Sequence, residues 1–201
     1  MKLYNAELSG NCYKIRLFLS LLGIDYQAVA VNMGDGDHKK PDFLRMNPRG
    51  QLPVLDDQGI VIWDSMAILV YLARKYGAAS WLPTEPESMA LVMQWLALSE
   101  NEILYGLARA RAVKKFSQAW DLVQSQQIGM VALSALEGQL KSHAWLVGEQ
   151  VTIADLACYP YVALAPEGEV SLDAFPSIQQ WIMRIQALPG YDSMPGLWSN
   201  Q

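Results

Sequence analysis

Ser9, Asn11 and Cys12 are the first residues whose types and spacing could do chemistry. They lie in Ser9-Gly10-Asn11-Cys12-Tyr13-Lys14-Ile15-Arg16. A short apolar start, Lys2-Leu3-Tyr4, reads as a strand before them, and the apolar stretch Ile15 to Leu22, ended by Gly23, reads as a helix after them. A small polar loop between strand and helix puts side chains and free N–H groups at a helix N-terminus. That end carries partial positive charge and favours anions. A thiolate is an anion, and such sites lower thiol pKa values. The Ser-x-x-Cys spacing is that of a Cys-x-x-Cys redox pair with its first Cys replaced. On this reading Ser9 does not supply a sulfur; it holds the sulfur of a ligand.

The elements that must position this loop follow in order. Residues 26–31, Tyr-Gln-Ala-Val-Ala-Val, read as a second strand, so strand, helix and strand form a βαβ unit with parallel strands. Asn32 to Lys40 is a loop, and Asp42 to Met46 a short helix stopped by Asn47-Pro48. Two apolar runs, Gln51-Leu52-Pro53-Val54-Leu55 and Ile60-Val61-Ile62, flank Asp56-Asp57-Gln58-Gly59 and predict a β-hairpin. Asp64-Ser65 can cap a helix running to about Tyr76. Residues 79–86, with Pro83 and Pro86, read as a linker. Beyond it the pattern is helical: Glu87 to about Val113, Ser117 to about Ser142, and a last helix from Pro176 to before Pro189-Gly190. A further helix opens at Thr152-Ile153-Ala154-Asp155, where Thr152 caps and Asp155 reaches back.

Bulk properties bound the function. The 201 residues can bury a full core, and 52% hydrophobic against 17% charged content argues against disorder. No uncharged span is long enough to cross a membrane, and the start has no signal-peptide pattern. Two cysteines, Cys12 and Cys158, are too few for a disulfide scaffold, so a cytoplasmic protein is expected. The net charge of −5 is uneven: residues 1–78 hold nine Lys/Arg against eight Asp/Glu, and residues 79–201 hold six against twelve. An acidic second half argues against nucleic acid as a partner. The first half could hold a small anion near His38-Lys39-Lys40 and Arg45…Arg49, although solvated surface charge explains each of these residues singly. No metal is expected, since His38 has no partner cluster and His143 is far along the chain.

At full length the chain resembles the soluble glutathione transferases. The resemblance rests on Ser9 to Arg16, on Phe43-Leu44…Asn47-Pro48-x-Gly50-Gln51-Leu52-Pro53-Val54-Leu55, on Asp64-Ser65 before Ala67-Ile68…Tyr71-Leu72, and on the Thr152-x-x-Asp155 box, in that order. Ser9 makes it similar to the serine-type classes, theta- or zeta-like bacterial members. The resemblance implies an α/β thioredoxin-like glutathione-binding domain at 1–78, a linker at 79–86 and an all-helical domain at 87–201. It also implies a homodimer. Glutathione would be the co-substrate, and its thiolate would be joined to a small electrophile. Glutathione-dependent reduction of disulfides or peroxides, and binding without catalysis, are the alternatives.

The resemblance also implies site residues. Ser9 would donate to the glutathione sulfur, with Asn11 as a second donor at the same helix end. Pro53 would follow a cis bond and turn the backbone of Leu52 toward the cysteinyl unit, with Gln51 beside it. Ser65 would take the γ-glutamyl carboxylate and Asp64 the ammonium. His38 and Lys39 would approach the glycyl carboxylate. Cys12 is read either as a reactive thiol or, as favoured here, as a small packing residue, and Cys158 as core. Asp64 departs from the Glu of many members, and Ser9 with Asn11 and Cys12 fits no single class cleanly. Met93, Trp95, Tyr105, Arg109 and Arg111 are possible wall residues for the electrophile. Tyr71, Met89, Met93 and Glu100 are possible dimer contacts.

Overall fold

Strand β1 (Lys2–Asn5) is central to a four-stranded sheet, ordered β2-β1-β3-β4, in a computed structural model that describes residues 1–199. It pairs in parallel with β2 (Gln27–Ala30) after the helix α1 (Gly10–Leu21), as the βαβ reading predicts. It pairs antiparallel with β3 (Val54–Asp57), which continues into β4 (Ile60–Trp63). The pleat sorts side chains by alternation. Leu3 and Leu55 join the main core with Ile15, Leu19, Ile68 and Leu69, from α1 and from α3 (Ser65–Lys75). Tyr4 and Val54 instead pack with Phe43 of α2 (Pro41–Met46). Helices therefore cover both faces, in the thioredoxin-like arrangement the resemblance implies.

The hairpin is tighter than the sequence suggests. Gln58 and Gly59 form the turn with φ of 56° and 92°, a two-residue loop with both central residues left-handed. Asp56 and Asp57 thus belong to β3. Asp57 is 1% exposed, and its Oδ2 accepts from Lys75 Nζ (2.7 Å), Tyr71 Oη (2.7 Å) and Tyr76 Oη (2.6 Å). These bonds tie the end of α3 to the hairpin.

After the connection at 76–85 the chain is helical. The expected helix at 87–113 is continuous but not uniform. It comprises α4 (Pro86–Leu98), a π-helical stretch Ser99–Ala108 and α5 (Arg109–Phe116). A π register keeps the apolar repeat Val92, Leu96, Ile103 and Leu107 buried, so periodicity alone does not announce it. The next helix, α6 (Leu122–Leu140), starts later than expected because Ser117, at φ 52°, ends α5 and Asp121 caps α6 through Gln124 N (2.9 Å). Helix α7 (Ile153–Ala163) is buried throughout. Its expected capping box is present: Thr152 Oγ1 accepts from Ala154 N (3.2 Å), and Asp155 Oδ2 from Thr152 N (2.9 Å). Asp155 Oδ1 also accepts from Leu146 N (3.0 Å) and from Trp181 Nε1 (2.9 Å) of α8 (Pro176–Gln186), so one carboxylate joins three segments. Among the described residues no helix is long and apolar enough to cross a membrane.

Candidate functional site

The loop from β1 to α1 is pinned atom by atom. Arg16 donates to the Asn5 side chain, to Ala6 O (3.3 Å) and to Glu7 O (2.8 Å). Arg111 Nη1 donates to Leu8 O (2.8 Å), and Ser9 N to Ala6 O (3.1 Å). Three consecutive carbonyls thus meet guanidinium groups, and Ser9 is delivered to the N-cap of α1. There Ser9 Oγ accepts from Cys12 N (3.3 Å), which leaves the hydroxyl proton free to donate elsewhere. Close packing behind the loop needs Gly10, because a Cβ there would lie 2.6 Å from the Tyr161 ring.

Ser9 opens onto a cleft of about 190 Å³. Asn11, Gln51, Leu52, Pro53, Asp64 and Ser65 line it with Ser9, so most of the residues singled out in the sequence meet in one place. Asn11 Oδ1 is buried without a hydrogen-bond partner. Turning that amide by 180° puts its NH₂ in the same position, so Asn11 offers the cleft either an acceptor or a donor. The Leu52–Pro53 bond is cis. Asn47 shapes the approach to it: its side chain donates to Gln51 O (2.8 Å) and accepts from Arg49 N (3.0 Å). Among the described residues the N–H and C=O of Leu52 make no hydrogen bond.

The opposite wall is a second helix N-terminus. Asp64 caps α3 by accepting from Met66 N (2.9 Å), and its Oδ2 pairs with Arg49 Nη1 (3.2 Å). It does so at φ 79°, a conformation costly for any residue with a Cβ and most often kept at functional sites. Ser65, buried at the first position of α3, presents its hydroxyl and N–H beside it.

Several lining residues were not among the site residues expected, although Arg49 was read as a possible anion holder and Glu100 as a possible dimer contact. Met33, Asn47, Arg49 and Trp63 come from the first half, and Glu100 and Leu104 come from the π-helical stretch. The signal for Glu100 is a charge set within the apolar repeat Val92, Leu96, Ile103 and Leu107 on the buried face of its helix; its Oε1 is buried without a partner, and burial pushes its carboxyl up despite the nearby Lys14 ammonium. His38 and Lys39 do not line this cleft. Lys39 Nζ instead donates to Arg49 O and Gly50 O (3.3 Å each), bracing the loop before Gln51, while His38 Nδ1 is buried and unpartnered. Cys12 turns away from the cleft: it is fully buried, its Sγ accepts from Ala6 N (3.5 Å), and burial pushes its thiol up. Cys158 is buried in the core.

The whole arrangement is therefore two helix N-termini, unpaired polar groups and an exposed backbone edge around one small cleft. The "Glutathione S-transferase, N-terminal domain" family matches residues 1–74, and "Glutathione S-transferase, C-terminal domain" matches residues 105–189. A crystal structure of glutathione S-transferase from Pseudomonas fluorescens [Pf-5] superimposes with a TM-score of 0.91 at 36% identity, covering 96% of this chain and 98% of that one. The chain belongs to the glutathione S-transferase family. Within it, the disulfide-bond oxidoreductase YfcG of Escherichia coli (strain K12) is 30% identical over 89% of this chain and 87% of that protein. The maleylacetoacetate isomerase of Pseudomonas aeruginosa is 31% identical over 90% and 88%. Family members of different named activities thus stand at similar distance.

Proposed function

We propose that this protein is a serine-type glutathione transferase, theta- or zeta-like, that binds glutathione in the cleft and joins its thiolate to a small electrophile, giving a thioether. The observation that carries the reading is the set of unpartnered polar groups in one cleft: the Asn11 amide, both backbone groups of Leu52 and the start of α3 at Ser65. Ser9 donates its hydroxyl to the sulfur, and Asn11 donates beside it. Lowering a thiol pKa by two units needs about 2.7 kcal/mol of thiolate preference. One charge-assisted hydrogen bond of roughly 1.5–3 kcal/mol, with the N-terminus of α1 behind it, is the right size. Leu52, with Gln51 and Pro53, pairs with the cysteinyl backbone as a strand edge. Ser65 and the α3 N-terminus take the γ-glutamyl carboxylate. Asp64, already engaged with Arg49, shares the ammonium with Glu100. The glycyl carboxylate goes to the side of His38, Lys39 and Arg49. Holding both reactants turns a bimolecular step into an intramolecular one.

The reading treats residues 1–78 as the glutathione-binding part, 79–86 as linker and 87–201 as the part that helps hold the electrophile, in a cytoplasmic homodimer. Similarity to a named disulfide-bond oxidoreductase supports a second reaction at the same site, with glutathione thiolate attacking a disulfide. The buried Cys12 is not its nucleophile, so Cys12→Ser leaves either reaction running.

Thermal unfolding with reduced glutathione, and with ophthalmate (methyl in place of thiol), tests the binding. Glutathione at a hundredfold over its Kd adds about 2.7 kcal/mol, a Tm rise of roughly 5–10 °C for a chain of this size. Ophthalmate gives a smaller rise. No shift at millimolar glutathione rejects the reading.

A further inference from the structure

Lys14 carries a charge that stability does not explain. Its side chain is 0% exposed, between α1 and the helices of the second half. Its Nζ makes one hydrogen bond, 3.1 Å to Ser99 Oγ, and lies 5.6 Å from the centre of the Tyr161 ring. The Ser99 hydroxyl in turn donates to Ala157 O (2.7 Å). An ammonium has three N–H groups to satisfy. Replacing a buried ion by an apolar side chain of similar volume is often neutral or stabilising.

Two observations lead from Lys14 to the cleft. Asn11 lies three residues before it on α1, hence on the same helix face, and lines the cleft. Ser99, which holds Lys14, directly precedes Glu100, whose unpartnered carboxylate oxygen is buried where Glu100 lines the cleft. Tyr161 from α7 faces the ammonium, and the charged and titratable groups near enough to act on it are Glu100 from the π-helical stretch, Cys158 from α7 and Asp64 from the start of α3; Arg49 acts on Glu100 as a second cation. Lys14 and Glu100 form no direct ion pair among the described residues; the link between them is the Ser99 hydroxyl, one residue before Glu100, with the attraction of the two opposite charges beside it. Burial lowers Lys14 to about 8 and Glu100 pulls it back up.

We propose that Lys14 is a positioning residue for the ammonium end of glutathione: acting through Glu100, it holds that carboxylate charged in the cleft, and it does so at a cost in stability. The proposal rests on the glutathione reading above. It makes opposite predictions for stability and for binding, which a purely structural lysine does not.

The test is a double-variant cycle on glutathione affinity, read by calorimetry, with N-acetylglutathione as the ligand lacking an ammonium. Lys14→Met is expected to unfold at the parent Tm or above, yet to bind glutathione about tenfold more weakly, with kcat at saturation nearly kept. Glu100→Gln weakens binding similarly, and the double variant is no weaker than Glu100→Gln alone, because the two act as one unit. The parent's preference for glutathione over N-acetylglutathione shrinks in Lys14→Met. Ser99→Ala, which removes the one hydrogen bond to Lys14, moves affinity the same way by less, and it serves as the test if Lys14→Met does not fold. Unchanged affinity in Lys14→Met, or additive losses in the double variant, overturns the proposal. A parent that does not bind glutathione at all removes the underlying reading, and the proposal with it.

Discussion

Ser9 and Asn11 face the same cleft from one helix end but are not equivalent. Ser9 is anchored as an N-cap with a free hydroxyl proton, whereas the Asn11 amide has an unpartnered terminal atom. Ser9→Ala is therefore expected to raise the pKa of the bound thiol by one to two units and to cut turnover at neutral pH by roughly 10- to 100-fold, with a Tm loss of only a few degrees from the missing cap. Stopped-flow turnover and a melting curve check both halves. Cys12→Ser should keep turnover, since the thiol points into the loop rather than the cleft. The sequence makes Ser9, Asn11, Asp64 and Ser65 legible because each sits at a helix start, whereas Gln51, Leu52 and Pro53 were legible only through the family resemblance. It does not make Arg49, Glu100 or Leu104 legible as one site. Glu100 and Leu104 come from a helix 35 or more residues beyond Ser65, and only the packing of the two halves brings them to the cleft. Lys39 has a role the sequence did not announce: its ammonium donates to two backbone carbonyls and braces the loop before Gln51.

At the scale of elements, two joints stand out. One is the carboxylate of Asp57. Burial alone raises its pKa, but hydrogen bonds from Lys75, Tyr76 and Tyr71 outweigh that and hold it at about 2. Because the folded value lies below the unfolded one of about 3.9, ionised Asp57 stabilises the fold above that pH, and the contribution disappears as pH falls toward 2. Asp57→Asn should lower the Tm at pH 6, and the gap to the parent should close as melting curves are taken toward pH 2. The second joint is the contact of the π-helical stretch with α6. A Cβ on Gly106 would lie 2.3 Å from Gly129 N, and backbone cannot yield as a side-chain tip can. Gly106→Ala is expected to cost about 2–3 kcal/mol, readable as a drop in the urea midpoint, and to displace Glu100 and Leu104 from the cleft wall. The βαβ unit, the hairpin and the capped start of α7 were legible because strand alternation and capping residues are local signals. The π register was not, because the apolar repeat Val92, Leu96, Ile103 and Leu107 reads the same as that of an α-helix.

For the whole molecule, the helical half does more than cover the first. Arg111 is buried, bonded to Glu167 Oε2 (2.5 Å) and to Leu8 O, so α5 reaches the loop that carries Ser9. Arg111→Met should loosen that loop and lower kcat more than it raises the KM for glutathione, a split that steady-state kinetics resolves. If the protein pairs as proposed, sedimentation equilibrium at micromolar concentration returns about twice the chain mass of 22.4 kDa. The central claim is that the cleft holds glutathione as a thiolate. It is tested most directly by titrating the thiolate absorbance of glutathione bound to the parent and to Ser9→Ala. The account predicts thiolate in the parent complex with a pKa about two units below that of the free thiol, and most of that shift lost in Ser9→Ala. A bound thiol that titrates like free glutathione, or a shift that survives in Ser9→Ala intact, would contradict it.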